Sequence, residues 1–493
     1  MGQNVGKEYE NVQKIFVKLN DLQGEIKSEK DIVLGKTYKH AITITNSYLA
    51  YLINIAQKLG DTKVYFKDLG FLKEWIEMIK APDTSDNGKA NEAQDNDVGI
   101  NYDDYTDDNI YKRFLSYYKN NEKTFKEKLF KGPPDCFRWL SWCVINQIPL
   151  YNVQYKYNHF LVKHTDDTKY NKYLILKDVN RSVEQQMNLG TNTAIIKDNL
   201  YNVLKAFYNL DMNFGLYCQG TNLIVVFLLI TSEGNDVDTF NMLISLLTDT
   251  FLERKENEYS FRGLFCDDLP LLVLLLHIFD CKLKEKLPEL KNHLDSMDFD
   301  SYNRMTPWFQ TLFTTFLPLN MLQRLWDCMF SDGVFFMVKF AIAFYDLIKD
   351  DLMKMEDLLE VRDYMNELSK SAMATDGLIN KKKYDVEKLI EKAKKIKINP
   401  KDYMKSIKKN PRYEIFKKNI GKAKNYKVDF EIEQYDINTD KIELTRQTIF
   451  SKLTEEELAK KIKEPVVKNQ INDEKEKDVN KNEIKNEIKD EKK

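Results

Sequence analysis

The sequence predicts an all-α fold in which several helices pack around one apolar core. The chain of 493 residues has only 17 Gly and 11 Pro, too few for an all-β protein with many tight turns. Apolar residues recur at helical spacing in the first 80 residues, and again from residue 109, where Tyr111, Phe114, Leu115 and Tyr118 share one face. Hydrophobic residues make up 43% of the chain, which is enough to fill a sizeable core.

Charge and composition divide the chain into five segments. The stretch 81–110 holds nine acidic residues against one Lys, as a flexible linker does. Residues 381–427 carry 18 Lys or Arg against five Asp or Glu, and the last 43 residues include 24 charged residues and no aromatic one. The predicted organisation is a helical region at 1–80, an acidic flexible linker at 81–108, a helical domain at 109–375, a basic helical segment at 381–430, and a charged tail at 451–493 that is disordered or a lone helix.

Several classes of protein are excluded by composition and motif. Lys and Arg number 75 and Asp and Glu 77, so the chain lacks an overall positive charge and we expect no nucleic-acid partner. There is no phosphate-binding GxxxxGK[ST] loop, no CxxC pair and no HExxH, so we expect no metal site. The longest apolar runs, Leu223–Ile230 and Leu269–Leu276, are far shorter than the ~20 residues of a membrane-spanning helix. These features predict a soluble, cytoplasmic protein.

The first motif of interest begins at a turn. Gly132 and Pro134 precede an apolar helix that carries Arg138 and Trp142, four positions apart and therefore on one face. Taken alone, this pattern is typical of a helix start whose Arg stacks on its own Trp.

The second motif pairs an acid with a base. Asp178 and Arg181 stand three positions apart, a spacing at which a carboxylate can hold a guanidinium in one orientation. Taken alone, this spacing favours an ordinary surface ion pair over a functional arginine.

The third motif places polar residues at the head of an apolar helix. Tyr217, Gln219 and Gly220 lead into Leu223–Ile230, so Gln219 could direct its amide at a ligand while Gly220 lets another backbone approach. A capped helix start is the simpler alternative for this motif alone.

Two further motifs follow, and the five together resemble a known family. Trp308 lies in a W-F-x-x-L-F segment, and Arg324, Trp326 and Asp327 form an R-x-W-D segment. In this order the five motifs resemble the TBC-domain family, the GTPase-activating proteins for Rab GTPases. They extend over about 200 residues. The resemblance implies an all-helical domain, a Rab-family small GTPase as partner, and a part in vesicle trafficking.

The resemblance also implies roles for individual residues. Arg181 would be an arginine finger placed beside the phosphates of the partner's GTP, and Gln219 would orient the attacking water. Asp178 would orient Arg181, while Arg138, Tyr217 and Gly220 would shape or support the pocket. The expected framework residues are Gly132, Pro134, Trp142, Trp308, Arg324, Trp326 and Asp327. No cofactor is expected in this chain, because GTP and Mg²⁺ travel with the GTPase, and the chain would be an activator rather than a stand-alone enzyme.

A second class of function remains open beside catalysis. The flanking segments could make the domain a binding or scaffold module of a cytoskeletal or ciliary assembly, with little or no GTPase-activating activity. The basic stretch 381–427 could contact a membrane surface or a cytoskeletal polymer, and a solvated helical face is an equally good interpretation of it. The matching localisation is the cytoplasm, at the periphery of a membrane or on the cytoskeleton or cilium.

Overall fold

The computed structural model describes residues 74–75, 78, 107–148, 154–162, 175–182, 193–211, 220–232, 234–247, 259–266, 268–372, 378–379, 382–383 and 385–420. The predictions for most of the region 1–80, for residues 81–106 of the linker and for the tail 451–493 lie outside these residues, as do Tyr217 and Gln219. Helices dominate the described part of the chain, which confirms the all-α prediction. The strands there are the two of a small antiparallel ribbon, in which Leu378 pairs with Lys383 and Ile379 with Lys382.

The first eight helices run from the end of the predicted linker to the middle of the chain. They are α1 (Asp107–Asn120), α2 (Glu122–Lys131), α3 (Asp135–Ile145), α4 (Gln154–Val162), α5 (175–182), α6 (Thr193–Asp211), α7 (Thr221–Thr231) and α8 (Asp236–Leu247). The apolar pattern that begins at residue 109 is thus split between two helices, which meet at Asn121.

The remaining helices include the basic segment. They are α9 (Pro270–Lys286), α10 (Pro288–Ser296), α11 (Ser301–Gln310), α12 (Leu319–Asp332), α13 (Phe336–Leu347), α14 (Lys349–Leu352), α15 (Leu358–Ala372), α16 (Val386–Lys394) and α17 (Tyr413–Asn419). Short 3₁₀ turns occur at Phe261–Leu264, Pro400–Tyr403 and Ser406–Lys409. The ribbon strands are β1 (Leu378–Ile379) and β2 (Lys382–Lys383). None of the described helices is both long and apolar enough to cross a membrane.

The core includes one helix, α7, whose sequence has almost no polar face. Helix α7 has no charged residue and buries eight of its positions, as expected for a helix enclosed by others. Helix α6 packs against α4, α7 and α8, while α9 packs against α11, α13 and α17. The two groups surround one continuous apolar cluster that extends through the described residues.

One aromatic residue from the predicted N-terminal region belongs to this core. Trp75 is fully buried, and its ring centroid lies 6.0 Å from those of Phe114 and Phe125 and 5.9 Å from that of Phe137. Edge-to-face packing of this kind stabilises aromatic clusters beyond the area that they bury. Trp75 is therefore anchored on helices α1 to α3.

The start of the basic segment docks on the helical domain. Asp385 caps α16 by accepting hydrogen bonds from the amides of Glu387 and Lys388. Helix α16 then buries Leu389, Ile390 and Ala393, and it packs against α13 and α12. Helix α17 packs against α9. Leu389, Ile390 and Ala393 therefore face the domain, whereas the Lys and Arg side chains of residues 385–420 are exposed.

Candidate functional site

The predicted arginine finger stands on α5. Ile175, Leu176 and Val179 are buried at positions one and four apart, which fixes one face of this short helix against the core. Arg181 follows on the next turn, with 40% of its side chain exposed. The helix is thus anchored by its apolar face and presents a guanidinium at its edge.

Asp178 holds that guanidinium. Its Oδ1 accepts a hydrogen bond of 2.6 Å from Nη2 of Arg181, and the Asp178 side chain is only 8% exposed. A charge-assisted bond from a buried carboxylate restricts the orientation of the arginine while leaving part of it open to a partner. This arrangement can present a fixed cation to an anion outside the chain.

The predicted glutamine finger immediately precedes a described turn. Gly220 starts α7 with φ of +107°, in the left-handed region that favours glycine. A Cβ at Gly220 would lie 3.0 Å from Cγ2 of Thr311, so the turn also lies close to the segment after α11. Tyr217 and Gln219 belong to the part of the chain that the structure does not describe, and their roles stay predictions.

Asn222 joins the two finger segments, and the sequence analysis did not select it. Its Nδ2 donates to Oγ of Ser182 over 2.5 Å, and its Oδ1 accepts from the amide of Gly220 over 3.2 Å. Asn222 is 1% exposed and Ser182 fully buried. The available signal was a polar Asn at the head of an otherwise apolar helix, because such residues are buried only with hydrogen-bond partners.

Two predicted framework residues, Trp142 and Arg324, and the predicted pocket residue Arg138 meet at the carboxylate of Asp327. Asp327 is fully buried, and its Oδ1 accepts a 2.8 Å hydrogen bond from Nε1 of Trp142. Its Oδ2 accepts from Nη1 of Arg324 over 3.1 Å and from Nε of Arg138 over 3.3 Å. Arg138 also donates to the carbonyl of Pro133. The R-x-W-D segment on α12 is thereby connected to α3, nearly 190 positions earlier in the chain.

Electrostatics at this cluster reflect its burial. Burial raises the pKa of the Asp327 carboxyl to about 6, and the guanidinium groups of Arg138 and Arg324 oppose that rise. For Arg324, burial acts to lower the pKa, but hydrogen bonds to Glu387 together with nearby negative charges raise it above its ordinary value. The cluster is held by paired charges rather than by isolated ones.

Gly132 and Pro134 shape the entry to α3 beside this cluster. Gly132 ends α2 with φ of +93°, and a Cβ there would come within 2.8 Å of Cζ and Nε of Arg324. Pro134 caps α3, and its carbonyl accepts a 2.9 Å bond from the amide of Phe137. Glycine at 132 thus lets the backbone pass directly over the arginine.

Trp308 and Trp326 support the turn that follows α11. Trp308 stacks on Phe316, with 3.6 Å between ring centroids. Leu312 and Phe313 have φ of +50° and +66°, a conformation that costs about 1–2 kcal/mol for each residue with a side chain. Nε1 of Trp326 donates to the carbonyl of Leu312 over 3.2 Å. These contacts hold a strained turn whose first residue, Thr311, lies against Gly220.

The described residues contain no cluster of metal-binding side chains. Among them, no three His, Cys, Asp or Glu side chains lie close enough to hold an ion. The polar groups that the described part of the site offers are the guanidinium of Arg181, the carboxylate of Asp178 and the amide and hydroxyl groups beside them. Such a set suits the binding and orientation of an anion.

One known family matches the part of the chain that holds this site. The model of the Rab-GTPase-TBC domain matches residues 135–353, a range that contains α3 to α13, both finger positions and Asp327. Residues 135–353 form a Rab-GTPase-TBC domain. The helices α1 and α2 before this TBC domain, and α16 and α17 after it, lie outside the match but pack on it.

Similar proteins share this part of the chain. The human "Ecotropic viral integration site 5 protein homolog" is 28% identical over 238 residues, covering 48% of this chain and 27% of that protein. The "Rab GTPase-activating protein eat-17" of Caenorhabditis elegans is 27% identical, covering 48% and 25%. The crystal structure of the Chlamydomonas flagellar RabGAP TBC domain is 23% identical and covers 56% of this chain and 88% of that one, with a TM-score of 0.44. This chain spans about a quarter of the length of the two relatives.

Proposed function

We propose that this protein is a GTPase-activating protein for a Rab-family small GTPase, to which it supplies Arg181 and Gln219. The observation that carries the proposal is the pair of Arg181 and Asp178, in which a buried carboxylate holds a guanidinium that remains 40% exposed. A cation fixed in this way needs little reorganisation when it meets the phosphates of a partner. The TBC domain and the relatives named for Rab GTPase activation support the same activity.

The proposed chemistry is electrostatic. As the γ-phosphoryl group leaves, negative charge develops on its oxygens, and a positioned guanidinium stabilises that charge more than it stabilises bound GTP. Arginine fingers supplied in trans are worth about 10³–10⁵ in rate among GTPases. The neutral amide of Gln219 would orient the attacking water, a task that many GTPases assign to a glutamine of their own. GTP and Mg²⁺ would arrive bound to the partner, so this chain would contribute no cofactor.

Single-turnover GTP hydrolysis tests the proposal. A panel of Rab proteins loaded with GTP would be mixed with the full chain, with Arg181→Ala and with Gln219→Ala. Acceleration of at least one Rab by the wild-type chain, reduced at least 100-fold by either substitution, is the expected result. A folded wild-type chain that accelerates no Rab in a broad panel would rule the activity out.

The scaffold alternative makes a different prediction for the same variants. It requires tight association with a large assembly that survives alanine at both finger positions. The relatives and the geometry of Asp178 and Arg181 favour catalysis, and none of the described contacts favours a scaffold over it. Catalysis is therefore the function that we put forward.

We also propose that the basic segment binds an anionic membrane surface. Residues 385–420 contain twelve Lys or Arg, all exposed, against five Asp or Glu. Because Leu389 and Ile390 are buried against the domain, the positive charges are held on a fixed outer face. Ile415 is 39% exposed between Arg412 and Lys417, and an apolar side chain among cations favours a lipid surface over a cytoskeletal or ciliary polymer.

Sedimentation with vesicles tests this second proposal. The full chain is expected to bind vesicles of phosphatidylcholine with phosphatidylserine and not vesicles of phosphatidylcholine alone, and each Lys or Arg near the surface adds about 1 kcal/mol. Reversing Lys408, Lys409 and Lys417 to Glu should abolish binding. The matched control reverses three exposed lysines of α1 and α2 (Lys112, Lys119 and Lys123) and should retain binding. Equal loss in both variants, or binding only to microtubules, would contradict the proposal.

A further inference from the structure

Ser182 and Gly220 lie beside the two proposed finger residues and are joined through one side chain. Ser182 follows Arg181 in the chain, and Gly220 follows Gln219. Asn222 donates from Nδ2 to Oγ of Ser182 over 2.5 Å, and its Oδ1 accepts from the amide of Gly220 over 3.2 Å. One carboxamide therefore bonds to both finger segments, across 40 positions of sequence.

The link continues into the arginine segment. Oγ of Ser182 donates to the main-chain carbonyl of Asp178 over 2.5 Å, while the carboxylate of Asp178 holds Arg181. The Ser182 hydroxyl thus uses its hydrogen within α5 and offers its oxygen to Asn222. Asp178, Ser182 and Asn222 form a continuous chain of hydrogen bonds that ends at the Gly220 amide.

Burial makes this chain of bonds a rigid connection. Ser182 is 0% exposed, Thr221 0% and Asn222 1%, so bulk water does not compete for these groups. The Gly220 turn is further confined by its left-handed φ and by Thr311, whose Cγ2 stands 3.0 Å from the position of a Cβ on Gly220. A displacement at Ser182 must therefore alter the bonding of the Gly220 amide.

We infer that Asn222 is a positioning residue that fixes the arginine segment and the glutamine segment relative to each other, through Ser182 on one side and Gly220 on the other. The consequence for activity rests on the proposed function, whereas the mechanical link does not. Because a finger misplaced by about 1 Å can cost up to ~10²-fold in rate, such a link matters for two groups that must reach one phosphoryl centre together.

Hydrogen exchange tests the link without any GTPase. In the full chain, Ser182→Ala removes the hydroxyl and leaves Asn222 with its Gly220 contact alone. Amide exchange in the peptide around Gly220 is expected to rise about tenfold, because local opening becomes easier at a distant segment. Ser182→Thr, which keeps the hydroxyl, should retain slow exchange. Ser141→Ala serves as the matched control, since it removes a buried hydroxyl that bonds to the Phe137 carbonyl of its own helix.

Kinetics test the consequence of the link. Asn222→Ala and Ser182→Ala are each expected to lower the maximal single-turnover rate about tenfold while the concentration for half-maximal stimulation stays unchanged, because binding surfaces are intact. Ser182→Thr should restore the rate. Two results would overturn the inference. One is exchange around Gly220 that is as slow in Ser182→Ala as in the wild type. The other is a single-turnover rate for Asn222→Ala or Ser182→Ala equal to that of an active wild-type chain. If the wild-type chain stimulates no Rab, the proposed function fails, and the exchange measurement still decides the link.

Discussion

Glu387 receives two hydrogen bonds from the guanidinium of Arg324, one of 2.6 Å from Nε to Oε1 and one of 2.9 Å from Nη2 to Oε2. Glu387 lies on α16, beyond the residues that match the TBC domain, whereas Arg324 belongs to its R-x-W-D segment. Arg324 therefore lies between Asp327 and Glu387. Together with Arg138, the cluster has two positive and two negative side chains, and the second negative charge comes from the basic segment.

Glu387→Gln should lower the free energy of unfolding by about 1 kcal/mol. The substitution keeps the shape of the side chain but removes the charge from a contact of two hydrogen bonds. The expected loss of stability is modest because 55% of the Glu387 side chain is exposed. Urea unfolding of the full chain measures the effect. Glu391→Gln, at an exposed position of the same helix, is the control and should stay within about 0.5 kcal/mol of the wild type. Equal stability of both variants would show that the contact contributes nothing.

Gly132→Ala should destabilise the protein far more than Gly333→Ala. Both glycines end helices with positive φ, +93° and +96°, and with extended ψ, so both variants force a side chain into a backbone region that glycine alone favours, at a cost of about 1–3 kcal/mol. A Cβ at 333 has open space, whereas one at 132 would displace the guanidinium of Arg324 from Glu387 and Asp327. We expect Gly132→Ala to lose about 3 kcal/mol more than Gly333→Ala, since only the former disturbs a buried ion pair. Equal unfolding midpoints in urea would contradict this account.

Acid should weaken the docking of the basic segment through His277. Its Nε2 lies 2.8 Å from Oγ of Ser406, a residue of that segment. Burial lowers the pKa of His277, and nearby Asp280 opposes this only in part. A lowered pKa in the folded state means that the unfolded chain binds the proton more readily, so this contribution is complete above the ordinary pKa of about 6.5 and is lost as the pH falls below it.

The variant His277→Gln isolates that contribution. Between pH 7.5 and 5.5, the urea midpoint of the wild type should fall further than that of the variant, and exchange in the peptide around Ser406 should accelerate more. Asp280 and Cys281 remain in both chains, so the difference between the two profiles reports His277 together with its coupling to Asp280. Parallel pH profiles would contradict the assignment to His277.

The sequence predicts the fold class because helical periodicity is a local property. The apolar run Leu223–Ile230 leads to a buried helix, and the scarcity of glycine and proline excludes a β-rich fold. Spacing also relates Asp178 to Arg181, since residues three apart on a helix are neighbours. Motif order locates the framework positions, and the structure adds that Asp327 is where Arg138, Trp142 and Arg324 meet.

Contacts between distant segments could not be predicted in the same way. Glu387 is one of many acidic residues in a charged stretch of sequence. It lies 63 positions after Arg324, and the two residues pair only because α16 packs beside α12. Asn222 reaches Ser182 only because two separate segments meet in the folded chain. Periodicity and spacing describe one element at a time, so such partners become visible only when the elements are assembled.

The most direct test of the central claim uses a Rab that lacks its own glutamine. A Rab stimulated by the wild-type chain would be prepared with that glutamine replaced by alanine, and its single-turnover GTP hydrolysis would be measured with wild type, Gln219→Ala and Arg181→Ala. We expect the wild-type chain to stimulate this Rab almost as strongly as the unmodified one, and both variants to lose the effect, because in the proposed mechanism Arg181 and Gln219 would supply the catalytic groups. Stimulation that disappears with the Rab's own glutamine would contradict the account.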